Sequence, residues 1–203
     1  MRRQWGLSLW ALLILNLGAT GCGHNVGSPD EVAVLETNYG RIVIEFLPDA
    51  APRHVANFKQ LVRDHVYDGT KFHALVSMDN RLTAIRGGDP NTISGDPSTW
   101  GAGQPGQKKL AAEISQTLKH VRGTVSAWRQ DNDPNSATSQ FLICLAPAPT
   151  WDGQYSIFGK VTEGMNVVDS IGRAPTAGIK SNRPLDPVTV ESVRIVKRSE
   201  VGQ

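Results

Sequence analysis

Few side chains in this 203-residue chain stand at spacings that do chemistry. His54, His65 and His120 are scattered without the short intervals of metal ligands, so no metal site is expected. Gly101-Ala-Gly-Gln-Pro-Gly106 spells G-x-G-x-x-G, but it follows no apolar strand, contains Pro105 and lies in a long loop; a dinucleotide site is not expected there. Asp131-Asn-Asp-Pro134 offers clustered oxygens for calcium, yet it lacks EF-hand spacing and reads as a turn. Cys144 is embedded in Phe141-Leu-Ile-Cys-Leu145, the setting of a small buried hydrophobe rather than of a reactive thiol. No cofactor is expected.

Cys22 invites a different chemistry, acylation. Arg2 and Arg3 precede a mostly apolar stretch, Trp5 to Leu17, short for a bilayer span of ~20 residues and suited to a cleaved export signal. Ala19-Thr-Gly-Cys22 resembles a bacterial lipoprotein box, with Ala19 where Leu is usual. An ordinary signal peptide with an incidental cysteine is the competing reading, and the flanks of Arg2-Arg3 do not support twin-arginine export. The expected organisation is a signal peptide over 1–21, an anchor cysteine and flexible tether over 22–31, one domain over 32–197 and a tail over 198–203. Several acyl chains anchor firmly where one binds only marginally. An acylated Cys22 also leaves Cys144 without a disulfide partner.

Composition agrees with a soluble, turn-rich globular domain: 39% hydrophobic, 20% charged, 20 Gly and 12 Pro. Losing Arg2 and Arg3 with the signal reduces 21 basic residues to 19, against 19 acidic ones. A neutral domain carries no nucleic-acid footprint.

The elements that must position any site are short strands. Val32-Ala-Val-Leu-Glu36 and Arg41-Ile-Val-Ile-Glu-Phe46, separated by Asn38-Tyr-Gly40, predict a hairpin with Ile42, Ile44 and Phe46 on one face. Pro52 opens a helix carrying Val55, Phe58, Leu61 and Val62 at helical spacing. Thr70 to Val76 and Leu82 to Arg86 read as strands joined by polar Ser77 to Arg81. Gly87 to Lys109 is a long Gly/Pro-rich loop. Strands return at Gly123 to Trp128, Phe141 to Leu145 and Ile157 to Val161. Gly164 to Ile171 is a short helix stopped by Gly172, and Val188 to Val196 is the last strand. The pattern points to an antiparallel barrel or sandwich.

Specific words narrow this further. Tyr67-Asp-Gly-Thr-Lys-Phe-His73, Gly87-Gly-Asp-Pro90, Asp133-Pro-Asn-Ser136, Ser139-Gln-Phe141 and Asp152-Gly-Gln-Tyr-Ser-Ile-Phe-Gly-Lys-Val161 resemble the cyclophilin family, in its order. So do Leu35-Glu-Thr, Ala51-Pro52, Asn57-Phe58 and Lys119-His-Val-Arg-Gly-Thr-Val-Ser126, and the likeness covers about four-fifths of the chain. The resemblance implies a mainly β fold, a closed eight-stranded antiparallel barrel capped by two helices, with a groove for Xaa-Pro segments. It also implies peptidyl-prolyl isomerisation. Rotation about an amide faces ~18–20 kcal/mol because resonance is lost at the twisted state. For Xaa-Pro the two ground states differ by only ~0.5–1 kcal/mol. A dry pocket for the ring and a donor aimed at the prolyl nitrogen or the carbonyl favour the twisted amide.

Position by position the resemblance is mixed. The family's arginine after Phe72-His73 is Ala74 here. Its Phe-Met-x-Gln run corresponds to Thr83-Ala84-Ile85-Arg86, and the stretch from Ser77 to Leu82 is longer than usual. Gln140 matches a family glutamine, and Leu142 stands for a pocket Phe. Trp128-Arg129 falls on the peptide-docking strand, Trp151 on a pocket Leu, Thr150 on a pocket Trp, and Tyr155 on a His. The catalytic candidates carried over are Arg86 and Gln140; Phe72, Ala74, Ala84, Trp128, Arg129, Leu142, Trp151 and Tyr155 are substrate-binding candidates. Arg86 either replaces the guanidinium missing at Ala74 or is a charge on the groove rim. Trp128 and Trp151 either stack on peptide or are ordinary half-buried tryptophans. His73 is expected to have a structural or solvent-facing role.

The function expected is acceleration of Xaa-Pro isomerisation in unfolded or partly folded exported proteins. A catalytically weak cyclophilin-fold module that binds proline-containing segments is the alternative, supported by Ala74. The expected state is a monomer, lipid-anchored on the periplasmic side of a bacterial membrane and free of nucleic acid.

Overall fold

The computed structural model describes residues 30–176 and 182–202, so the expected signal segment 1–21, Cys22 and nearly all of the tether lie outside the described residues. The elements are, in chain order, β1 (Glu31–Thr37), β2 (Gly40–Phe46), α1 (Pro52–Arg63), β3 (Ala74–Met78), β4 (Arg81–Gly87), β5 (Thr124–Ala127), β6 (Phe141–Cys144), β7 (Ile157–Glu163), α2 (Met165–Gly172) and β8 (Val190–Lys197). This is a mainly β, eight-stranded antiparallel, two-helix architecture. Among the described residues no helix is long and apolar enough to cross a membrane.

Alternation sorts each strand into two faces. Leu35, Ile42, Ile44, Phe46, Leu75, Ile85, Val125, Phe141 and Ile143 point inward to the main core. α1 lies against β7 and β8 and inserts Phe58 among the rings of Phe46, Tyr67, Phe141 and Phe158, at centroid distances of 4.8–5.8 Å. Pro52 occupies its first turn, where a missing N–H costs nothing. Lys59 is buried in α1 with its ammonium 4.8 Å over the centre of the Phe46 ring and 2.7 Å from the Glu31 carboxylate. α2 starts after Gly164, whose φ of +87° and contact with the Arg41 carbonyl leave no room for a Cβ. Beyond β8 a 3₁₀ turn at Arg198–Glu200 brings Val201 over the outward Val32, Val34 and Val43, giving that face a small core of its own.

The expected closed barrel is corrected in one respect. The ladder runs β3-β4-β6-β5-β7-β2-β1-β8 and does not close, because β3 and β8 share no strand pairing. The residues preceding them meet instead: Gly69 and Phe72 donate to the carbonyls of Val190 and Val188 at 2.8 and 2.9 Å, and Val190 donates to Thr70 at 2.8 Å. Lys71 and Thr189 form a single bridge. From Leu75 onward the free edge of β3 turns to Asn182, whose carbonyl accepts the Leu75 N–H at 2.6 Å. These bonds join residues before β3 to Val188 and to the first residue of β8 and do not continue along the two strands, so loops cover the rest of the edge.

A second difference concerns Ser77 to Arg81. Pairing continues through Ser77↔Leu82 and Met78↔Arg81, and only Asp79-Asn80 turns. Both turn residues have positive φ, +48° and +58°. Asp and Asn tolerate that conformation, which two-residue hairpin turns require. A polar run signals exposure, and exposed strand ends are polar as well.

Candidate functional site

The site is built on the outward face of β3, β4, β6 and β5. Ala74 pairs with Arg86, Arg86 with Leu142, and Leu142 with Ser126, so these four form one row across four strands. The next row is Val76, Ala84 and Cys144, in register, with the ladder shifting only beyond it, between Val76 and Ser77. Ala84, Leu142, Cys144, Ala148, Trp151 and Tyr155 pack into a second apolar cluster on this face, with Val76, Met78 and Trp128 against it.

Arg86 enters this face half-buried. Its Nε donates to Nε2 of His73 at 3.1 Å, and its guanidinium carbon lies 4.3 Å from the centre of the Trp128 ring. His73 approaches the Lys71 carbonyl with Nδ1 at 3.3 Å. The two contacts assign the proton to Nδ1 and leave Nε2 to accept. Burial, reinforced by the Arg86 charge, pushes the His73 pKa down to about 4, so the ring is neutral at pH 7. Burial also lowers the pKa of Arg86, while Asp89 and Asp131 favour its charge.

The long loop is tied to the site through Asp89. This carboxylate is fully buried and accepts N–H bonds from Asn91 at 3.0 Å, Gly101 at 2.5 Å and Gly103 at 3.4 Å. Gly101, with φ +89°, lies so close to the Arg86 guanidinium that a Cβ would strike Nη2. The Gln140 side-chain amide donates to the Gly101 carbonyl at 3.2 Å. The apparent dinucleotide motif therefore serves as a backbone wall beside Arg86.

On the other side, Trp128 stacks on Tyr155 with centroids 6.3 Å apart, and the Arg129 guanidinium lies 4.6 Å over the Tyr155 ring. Trp151 meets Tyr155 at 5.6 Å and, edge-on, the ring of His120 at 5.9 Å. His120 is buried and held by Asp152, whose Oδ1 accepts its backbone N–H at 2.8 Å and lies 3.1 Å from Nδ1. Burial keeps its pKa below the ordinary histidine value. A cavity of about 200 Å³ opens beside Trp128, lined also by Gly103, Arg129, Gln130, Thr138 and Gln140.

The structure thus brings together Ala74, Arg86, Ala84, Trp128, Arg129, Gln140, Leu142, Trp151 and Tyr155. Phe72 does not join them: it is fully buried on the inward side, 6.0 Å from the Phe141 ring and pressed under Gly87. Two residues before Ala74, it precedes β3 and its packing belongs to the barrel interior. His73, expected to have a structural or solvent-facing role, is the direct partner of Arg86. The ring's approach depends on the cross-strand pairing, which brings Arg86 beside the residues at the start of β3. Met78 and Cys144 also belong to the cluster; Met78 was concealed by reading its hairpin as a connection.

The cyclophilin type peptidyl-prolyl cis-trans isomerase family model matches residues 32–195. A probable peptidyl-prolyl cis-trans isomerase of Brucella abortus is 35% identical over 191 residues, covering 92% of this chain and 95% of that protein. A peptidyl-prolyl cis-trans isomerase-like 1 protein of Rhizopus delemar is 38% identical over 150 residues, 73% of this chain and 84% of its own. Among solved structures, a Cryptosporidium parvum cyclophilin type isomerase crystallised in the presence of the dipeptide Ala-Pro aligns with TM-score 0.69 and 28% identity, over 82% of this chain and 99% of that one. An antiparallel sheet with two helices leaves several families open, but a match that runs from the first strand into the last does not, and the chain belongs to the cyclophilin-type peptidyl-prolyl cis-trans isomerases.

Proposed function

We propose that this protein accelerates Xaa-Pro isomerisation in unfolded or partly folded exported proteins, with Arg86 supplying the guanidinium that Ala74 lacks. The observation that carries this is the direct pairing of Ala74 with Arg86 on the outward face. A side chain of arginine length at position 86 covers the ground its neighbour has given up. In the twisted amide the prolyl nitrogen regains its lone pair, and a charge-assisted donor there lowers the barrier without any cofactor. His73 and Trp128 hold the guanidinium out of bulk water, where such a bond counts for more. Gln140 is placed to bind the peptide backbone. The test is cis/trans exchange of an Ala-Pro peptide followed by NMR or a protease-coupled assay. Arg86→Ala is expected to lose at least tenfold in kcat/KM; unchanged turnover overturns the assignment.

One observation favours a second reading, a binding module of low activity: Ala84 and Leu142, the floor of the pocket that the resemblance implies, are completely buried. A large gain in Ala74→Arg from a nearly silent parent would establish it.

Slow prolyl isomerisation, on a scale of ~10–100 s, makes such a catalyst useful where exported chains fold. The arginine pair, the apolar Trp5 to Leu17 and the box ending at Cys22 support an exported protein that is lipid-anchored on the periplasmic side. Metabolic labelling with a tritiated fatty acid, lost in Cys22→Ser, tests the anchor.

A further inference from the structure

The outward face holds an anomaly. Ala84, Leu142 and Cys144 lie on the outer side of the sheet, yet each is fully buried, in a cluster with Trp151 and Tyr155 against which the partly buried Trp128 packs. Trp128 and Tyr155 are fastened at both ends. Arg86 stacks on Trp128 at 4.3 Å, Trp128 on Tyr155 at 6.3 Å, and Tyr155 under Arg129 at 4.6 Å, two rings held between two cations. Beneath it the cluster is not satisfied: among the described residues, Gln140 Oε1 and Ser126 Oγ are buried without a hydrogen-bond partner.

We propose that Trp128 is an internal competitor for the prolyl ring: its indole closes the pocket over Leu142 and Ala84, and substrate enters only after the ring swings away. This rests on the groove being the Xaa-Pro site. The backbone of Trp128 is pinned by its N–H to the Gln140 carbonyl at 2.9 Å, so the motion is a side-chain rotation. The adjoining cavity of about 200 Å³, which Trp128 itself lines, receives the ring; about 150 Å³ already accommodates a benzene molecule. Opening frees one face of the Arg86 guanidinium, exposes the Gln140 oxygen and uncovers Leu142. The same residue therefore gates the pocket and the donor, and it sets the apparent affinity through the fraction of open protein.

The experiment is stopped-flow and equilibrium binding of an Ala-Pro-containing tetrapeptide to the full chain and to Trp128→Ala, with thermal melts of both. Expected are an observed rate in the wild type that saturates with peptide concentration, and a Kd about tenfold lower in Trp128→Ala with a linear rate. An equal or higher Kd in the variant overturns the gate alone, leaving Trp128 as part of the binding surface. Absence of binding by a cooperatively melting Trp128→Ala overturns the gate together with the groove assignment. If Trp128→Ala does not fold, the wild-type kinetics decide: a rate that rises linearly with peptide overturns the gate.

Discussion

His73 makes the site sensitive to acid in a way that can be worked out in advance. Its Nε2 must stay unprotonated to accept the Arg86 Nε–H, and burial beside that guanidinium holds its pKa at about 4 against an ordinary 6.5. Between those two pH values the unfolded chain binds a proton at this residue and the folded chain does not. Stability therefore rises with pH across the window, and acidification from 6.5 toward 4 destabilises the fold, levelling off below 4. The full interval corresponds to about 3 kcal/mol, and by pH 4.5 about 2 kcal/mol of it is felt. His54 and His120 are depressed in the same direction, so the wild-type curve alone does not isolate His73. His73→Gln keeps an acceptor for Arg86 and removes the titration. Urea denaturation of both proteins at pH 7, 5.5 and 4.5 is the assay. The stability difference between them is expected to shift by about 2 kcal/mol in favour of the variant on going from pH 7 to 4.5. Isomerase activity of the wild type should fall over the lowest part of that range, as the Arg86 contact breaks, while His73→Gln retains its activity. Parallel stability curves would refute the neutral, buried His73 and with it the proposed orientation of the guanidinium.

Three further outcomes follow from the same geometry. Gly101→Ala adds a Cβ against Arg86 at a φ of +89°, so it should cost about 1–3 kcal/mol in stability and reduce kcat/KM more than KM, read by denaturation and steady-state kinetics. Asp89→Ala strips three backbone donors of their shared acceptor and should destabilise by about 2 kcal/mol or more, with faster hydrogen exchange confined to the loop near Gly101. Cys144 is completely buried and its thiol is pushed up to about 12, so a thiol reagent at pH 8 should label it only under denaturing conditions; rapid labelling of the native protein contradicts the packed outer cluster.

How far the sequence carries differs between scaffold and site. Hydrophobic alternation marked seven of the eight strands within a few residues, because inward and outward positions differ in burial along each strand. β3 was displaced toward its N-terminus, since Thr70 to His73 carries β-favouring Thr70 and Phe72 but makes its bonds to Val188 and Val190. Closure of the barrel was not legible. It depends on whether two strands distant in sequence overlap along their length, which no local pattern encodes.

The residue types at the site were legible as well. The substitution of Ala74, the compensating Arg86 and the bulky Trp128 stand in the string of letters, and the pairing of positions 74 and 86 could be anticipated from a hairpin. What the tertiary structure decided was occupancy. Leu142 and Ala84 looked like an open pocket floor, and His73 looked like scaffolding. Burial of the first pair and the 3.1 Å bond to Arg86 of the second come from side chains meeting across strands and from loops that pass over them. Sequence determines which groups a face can present, since alternation is a property of the backbone. Whether a given face is open or filled is a property of packing between distant segments, and here Trp151 and Tyr155 join Leu142 and Ala84 in one cluster with Trp128 packed against it.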